Sequence, residues 1–215
     1  MKSVTVLVAF LIFLVSACAP DQPRGAVSDS APETSAVAGA AVEPAAPSGA
    51  FDQTLELQGI TFRVTCPNAS SINDATIVPE GLEIDNSPIT REVDGSVIGA
   101  EVADLDANGS PEVYVYVTSA GSGSYGSLLA YAANNRKSLS EIYLPPLEED
   151  PEASSGYMGH DEFTALELRL GRRFPIYREG DTNAEPTGGT RQLQYRLEPG
   201  EAGWILRVDD RMDLD

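Results

Sequence analysis

Glu112-Val-Tyr-Val-Tyr-Val-Thr-Ser-Ala-Gly-Ser-Gly-Ser-Tyr-Gly126 is followed at once by Ser127-Leu-Leu-Ala-Tyr-Ala132. Residues 113–118 are an unbroken run of β-branched and aromatic side chains, which favours extended backbone. Val113, Val115 and Val117 fall on one face, and Tyr114, Tyr116 and Thr118 on the other. The run 128–132 has the same strand character. Between the two, residues 119–126 carry no core-forming side chain except the ring of Tyr125. Two strands joined by a glycine-serine loop make a β-hairpin, and loops held on such scaffolds are where binding and catalysis concentrate.

The chain on either side repeats this theme. Leu55 and Leu57 share a face; after Gly59, which marks a turn or bulge, Ile60, Phe62, Val64 and Cys66 share another. That period of two predicts strands with one buried face. Residues 67–73 read as a loop and Thr76-Ile-Val78 as a short strand, which 82–86 extends. Asn86-Ser-Pro88 then breaks the chain. Ser96 to Leu105 reads as a longer strand, with Asp106-Ala-Asn-Gly109 as a tight hairpin turn. Further strands are expected at 140–144, around Leu166, Leu168 and Leu170, around Leu193, Tyr195 and Leu197, and around Trp204, Leu206 and Val208. Residues 147–161 read as a long acidic surface loop. No window of twelve or more residues shows a helical period. The expected fold is all-β: a sandwich or barrel by pattern, and specifically an antiparallel β-sandwich of about eight strands.

The termini and composition divide the chain further. Met1-Lys-Ser3 precedes an apolar run from Val4 to Val15, shorter than the roughly 20 residues a transmembrane helix needs. It reads as a secretory signal. Val15-Ser-Ala-Cys18 resembles the bacterial lipobox, which implies a signal peptide over 1–17 and lipidation of Cys18. Ala19, not Asp, follows the cysteine, which points to the periplasmic face of the outer membrane. Residues 18–50 are mostly Ala, Pro, Ser, Gly and acids up to Gly49, and predict a disordered tether with a reach of roughly 30 Å. The folded domain is then 51–215. It holds 29 Asp and Glu against 12 Lys and Arg, a net charge of −17. That sign argues against nucleic acid and would steer a basic partner, although solubility or a salty habitat accounts for it equally. With Cys18 lipidated, Cys66 has no intramolecular partner and reads as a small buried hydrophobe.

Several constellations bear on chemistry. Gly121-x-Gly123-x-x-Gly126 matches the dinucleotide fingerprint in letters, but that reading needs a helix after the last glycine, and the residues there read as a strand. No cofactor is expected. Ser122 or Ser124 could serve as a nucleophile only with His160, the sole histidine, as base, supported by Asp161 or Glu162. Asp104-x-Asp106-x-Asn108-Gly109-x-x-Glu112 follows calcium-loop spacing at positions one, three, five, six and nine, but Val115 stands where the bidentate Glu belongs. An acidic hairpin turn is the plainer account of it.

Four separated stretches, taken together and in order, resemble the periplasmic inhibitors of invertebrate-type (i-type) lysozyme. They are Ser119 to Gly126; Tyr157-Met-Gly-His-Asp-Glu-Phe163; Arg173-Phe-Pro-Ile-Tyr177 with Glu179-Gly-Asp-Thr-Asn183; and Gly200-Glu-Ala-Gly-Trp204. The resemblance implies an antiparallel sandwich, no catalysis, and a protruding loop that enters the lysozyme cleft. The matching loop residues are Ser119, Gly121, Ser122, Gly123, Ser124 and Tyr125, with Ser122 and Tyr125 meeting the catalytic carboxylates. The expected partner is therefore an i-type lysozyme. The alternatives are a cell-envelope carbohydrate-binding or structural lipoprotein and, third, a hydrolase.

Overall fold

The computed structural model describes residues 49–201 and 203–215. The signal peptide, Cys18 and the tether through residue 48 lie outside the described residues. What is described is all-β. The strands in chain order are β1 (Phe51–Leu57), β2 (Ile60–Cys66), β3 (Ile72–Glu80), β4 (Ile89–Asp94), β5 (Ser96–Ala103), β6 (Glu112–Thr118), β7 (Gly126–Asn134), β8 (Ser138–Tyr143), β9 (Glu162–Ala165), β10 (Leu170–Pro175), β11 (Thr190–Pro199) and β12 (Trp204–Leu214). A single 3-10 turn, Leu147–Glu149, interrupts them.

These strands form two sheets. One is a four-stranded meander, β1-β2-β3-β4. The other has eight strands in the order β5-β6-β7-β8-β12-β11-β10-β9. All pairings are antiparallel except β8 with β12, which run parallel over two positions, Ile142 opposite Trp204 and Tyr143 opposite Ile205. The edge strands of the larger sheet approach each other. Glu101 on β5 accepts from the Ala165 N–H of β9 at 2.6 Å and from the Tyr116 hydroxyl. The larger sheet is thus curled into a nearly closed barrel.

The described residues therefore form two cores. Ile60, Phe62, Val64, Ala75 and Ile77 of the small sheet pack on Val97, Val113, Val115 and Val117. Tyr114, Tyr116, Ala130, Leu170, Phe174, Leu193 and Leu206 fill the inside of the larger sheet. Strand β6 is the wall between them, with residues 112–117 all buried. Its alternation of Val and Tyr sorts side chains between two interiors, not between core and water. Cys66 is buried on the first core, as its phase predicts.

The observed strands depart from the sequence expectation at several points. The described residues form twelve strands instead of about eight, and a four-stranded sheet beside a nearly closed eight-stranded one instead of a plain two-sheet sandwich. Strand β4 was missed, and 82–86 is not strand. Leu166 and Leu168 sit in the β9–β10 turn, closed by Leu166 N–H to Arg169 C=O at 2.8 Å, and both are exposed. Their alternation is incidental. The Asp106–Gly109 turn is part of a longer connection running from Ala103 to Glu112. Gly59, read as a turn or bulge, is the second residue of a two-residue hairpin turn: Gln58 and Gly59 have positive φ, 52° and 76°, between paired Leu57 and Ile60.

Candidate functional site

The β6–β7 ladder ends with Thr118 opposite Gly126, so residues 119–125 form the hairpin loop. Its neck is closed by the Ser119 N–H donating to Tyr125 C=O and the Tyr125 N–H donating to Ser119 Oγ, both at 2.9 Å. Ser119 is thus a structural clamp. Gly121 and Ser122 are exposed, Gly123 and Ser124 half-buried, and the Tyr125 side chain is left 48% exposed. Ser124 takes a left-handed φ of 42°, and its N–H donates to Gly121 C=O at 2.9 Å.

The loop is pinned from below by residues far away in sequence. The His160 N–H donates to Gly123 C=O at 2.9 Å. Asn183 Nδ2 donates to Ser122 C=O at 2.5 Å. The Gly126 N–H donates to Asp161 Oδ2 at 2.7 Å. Asp161 is buried and also accepts from the Tyr157 hydroxyl at 2.6 Å and from Arg172 Nε at 2.7 Å. Arg172 lies over the rings of Tyr157, Phe163 and Phe174. Tyr157 in turn meets the Tyr125 ring edge-on, with centroids 5.6 Å apart. Burial, with Asp161 beside it, raises the Tyr157 hydroxyl pKa above its ordinary value.

Two glycines make this approach possible. Gly159 has φ +96°, and a Cβ there would collide with the Gly123 carbonyl. A Cβ on Gly126 would collide with Asp161. Each is a place where only glycine lets the 157–163 segment reach the loop.

Three of the four quoted stretches thus converge. Residues 119–126, 157–163 and 173–183 meet around one loop, whereas Trp204 lies elsewhere and donates to Asn134 Oδ1 at 2.9 Å. The reading of 147–161 as mere surface loop is corrected, because Gly159, beside Asp161, is buried and this segment carries the loop's support. Arg172, the buried partner of Asp161, was missed, although a signal was present. It is in phase with Leu170 and Phe174, and a charge on a buried face demands a partner.

Among the described residues, no hydrogen bond joins the His160 ring to Ser122, Ser124, Asp161 or Glu162. The His160 ring faces Asn183 Oδ1 at 3.3 Å and stacks near Tyr177, while Asp161 is engaged by Arg172. After Gly126 the chain enters β7, not the helix of a dinucleotide site. The acidic turn does assemble: one carboxylate oxygen from each of Asp104, Asp106 and Glu112 lies within 4.8 Å of the others. Asn108 folds onto it, Nδ2 donating to Asp106 Oδ2 at 2.7 Å.

Beside the loop lies a groove of about 440 Å³, lined by Tyr125, Tyr143, Tyr157, Arg172, Glu141 and Glu148 among others. It exists because β7 and β8 pair only from Tyr131 opposite Glu141 onward, and splay apart near Gly126. No protein-family model matches this chain, and no curated protein matches it.

Proposed function

We propose that this chain is a protein inhibitor of i-type lysozyme. In this reading the 119–126 loop enters the enzyme's substrate cleft, with Ser122 and Tyr125 as its contact residues. The observation that carries the reading is the mounting of the loop. Exposed Ser122 and Tyr125 ride on a backbone fixed at three points by His160, Asp161 and Asn183. A loop already ordered loses little freedom on binding, which favours tight association. A glycosidase cleft holds two carboxylates. Neutral hydroxyls can hydrogen-bond to both without burying an unpaired charge, and bonds to ionised carboxylates are among the stronger ones. The Tyr125 ring adds apolar area beside its hydroxyl, as interface anchors do.

On this reading the sandwich of the resembled family corresponds to the small sheet packed on β5–β8. The remaining strands supply the support beneath the loop. Lipidation at Cys18 would hold the protein on the periplasmic face of the outer membrane, shielding peptidoglycan. A second reading, carbohydrate binding, is favoured by the groove beside the loop, whose tyrosines and carboxylates suit a sugar.

The test is a titration of lysozymes of several types. Stoichiometric inhibition of an i-type enzyme at micromolar protein is expected, weakened at least about 100-fold by Ser122→Ala with Tyr125→Ala. No inhibition at that concentration sinks the reading. Glycan binding without lysozyme binding would move the assignment to the groove.

A further inference from the structure

Glu112 stands at the opposite end of β6 from the candidate loop, and its burial is unusual. Its exposure is 0%, yet Oε1 has no hydrogen-bond partner among the described residues. Oε2 accepts from the Leu105 N–H at 2.8 Å and, more distantly, from the Tyr114 hydroxyl. A buried carboxylate with one oxygen unpaired is costly. Asp104 and Asp106 make it costlier, since all three carboxylates converge within 4.8 Å. The donors on the outer side are already committed. Asp104 accepts from the Asn108 and Gly109 N–H groups and from Gln58 Nε2, at 2.9, 3.0 and 2.7 Å. Among the described residues, no ion pair reaches Asp104, Asp106 or Glu112.

We infer that Asp104, Asp106 and Glu112 bind a calcium ion in the β5–β6 connection, with the unpaired oxygen of buried Glu112 as the ligand that ties the ion to the fold. The ligands are all hard oxygens on a short loop, the donor set calcium takes. Magnesium demands stricter octahedral geometry and gives up water reluctantly. Val115 sits where a bidentate glutamate would complete a full calcium loop, and its side chain belongs to the first core. Water must therefore fill several positions. Affinity falls in the weak range of roughly 10⁻⁴ to 10⁻³ M seen in extracellular modules. The ion bridges the turn to β6, so its effect is on stability.

Thermal unfolding of the full-length chain, with about 5 mM calcium or with chelator, tests this. Calcium is expected to raise Tm by about 2–6 °C, reversibly with chelator. Glu112→Gln is expected to abolish that rise. Asp106→Asn, on the accessible side, should weaken calcium binding by at least tenfold in a calorimetric titration. It also serves should the Glu112 variant fail to fold. No Tm shift and no binding heat at about 5 mM calcium would overturn the proposal. So would an equal response to magnesium, or a shift that both variants retain.

Discussion

Asp161 is the residue on which the candidate loop depends. Its carboxylate faces Arg172 in a pair whose side chains are 0% and 5% exposed, so water screens neither charge. It also accepts from the Gly126 backbone and from Tyr157. Asp161→Ala leaves the guanidinium buried without its counter-charge and is expected to cost about 3–5 kcal/mol in denaturant unfolding. Asp161→Ala with Arg172→Met removes both charges and should cost clearly less than the single change. A single-variant cost under about 1 kcal/mol would show that the pair does not hold this region. The exposed half of the site was legible in the sequence, because glycine, serine and one tyrosine between two strands can only be a loop. The buried half was not. Hydrogen bonds spanning 35 residues from Gly126 to Asp161, or 61 from Ser122 to Asn183, leave no local periodicity.

At the scale of elements, β6 explains both what the sequence revealed and what it hid. Alternation identified it as a strand at once, but alternation of Val and Tyr is apolar on both sides. Period-two reasoning sees two faces without saying what covers either. The consequence is two cores joined through one strand. The same logic was available at β10 and β11, where Arg172 and Arg191 occupy buried phases. Arg191 meets Asp213 through Nε at 2.7 Å and donates to the carbonyls of Glu152, Ala153 and Ser155, which orders the acidic connection before β9. Strand β4 was missed because Ile89–Asp94 shows only Val93 fully buried, a pattern too polar to stand out. Because the cores share β6, they should melt together. Phe62→Ala in the first and Phe174→Ala in the second are each expected to cost about 3–5 kcal/mol. Both should shift one cooperative transition, read by circular dichroism and tryptophan fluorescence. Two separated transitions would show that β6 does not couple them.

For the whole molecule, the governing quantity is charge. The folded region carries a net −17, with the ion pairs on its surface too exposed to matter much individually. A field of that sign acts at range, before any contact forms. If the loop engages a basic lysozyme, the field accelerates encounter while the short-range contacts of Ser122 and Tyr125 set how long the complex lasts. Salt separates the two contributions. Raising ionic strength from about 0.01 M to about 1 M shortens the screening length from roughly 30 Å to roughly 3 Å. Association measured by stopped flow should slow at least about tenfold across that range, with dissociation changing far less. Ser122→Ala with Tyr125→Ala should do the reverse, speeding dissociation with little effect on association. An association rate indifferent to salt would assign the acidic surface to solubility alone. It would leave the loop's mounting, not the molecule's charge, as the source of any selectivity.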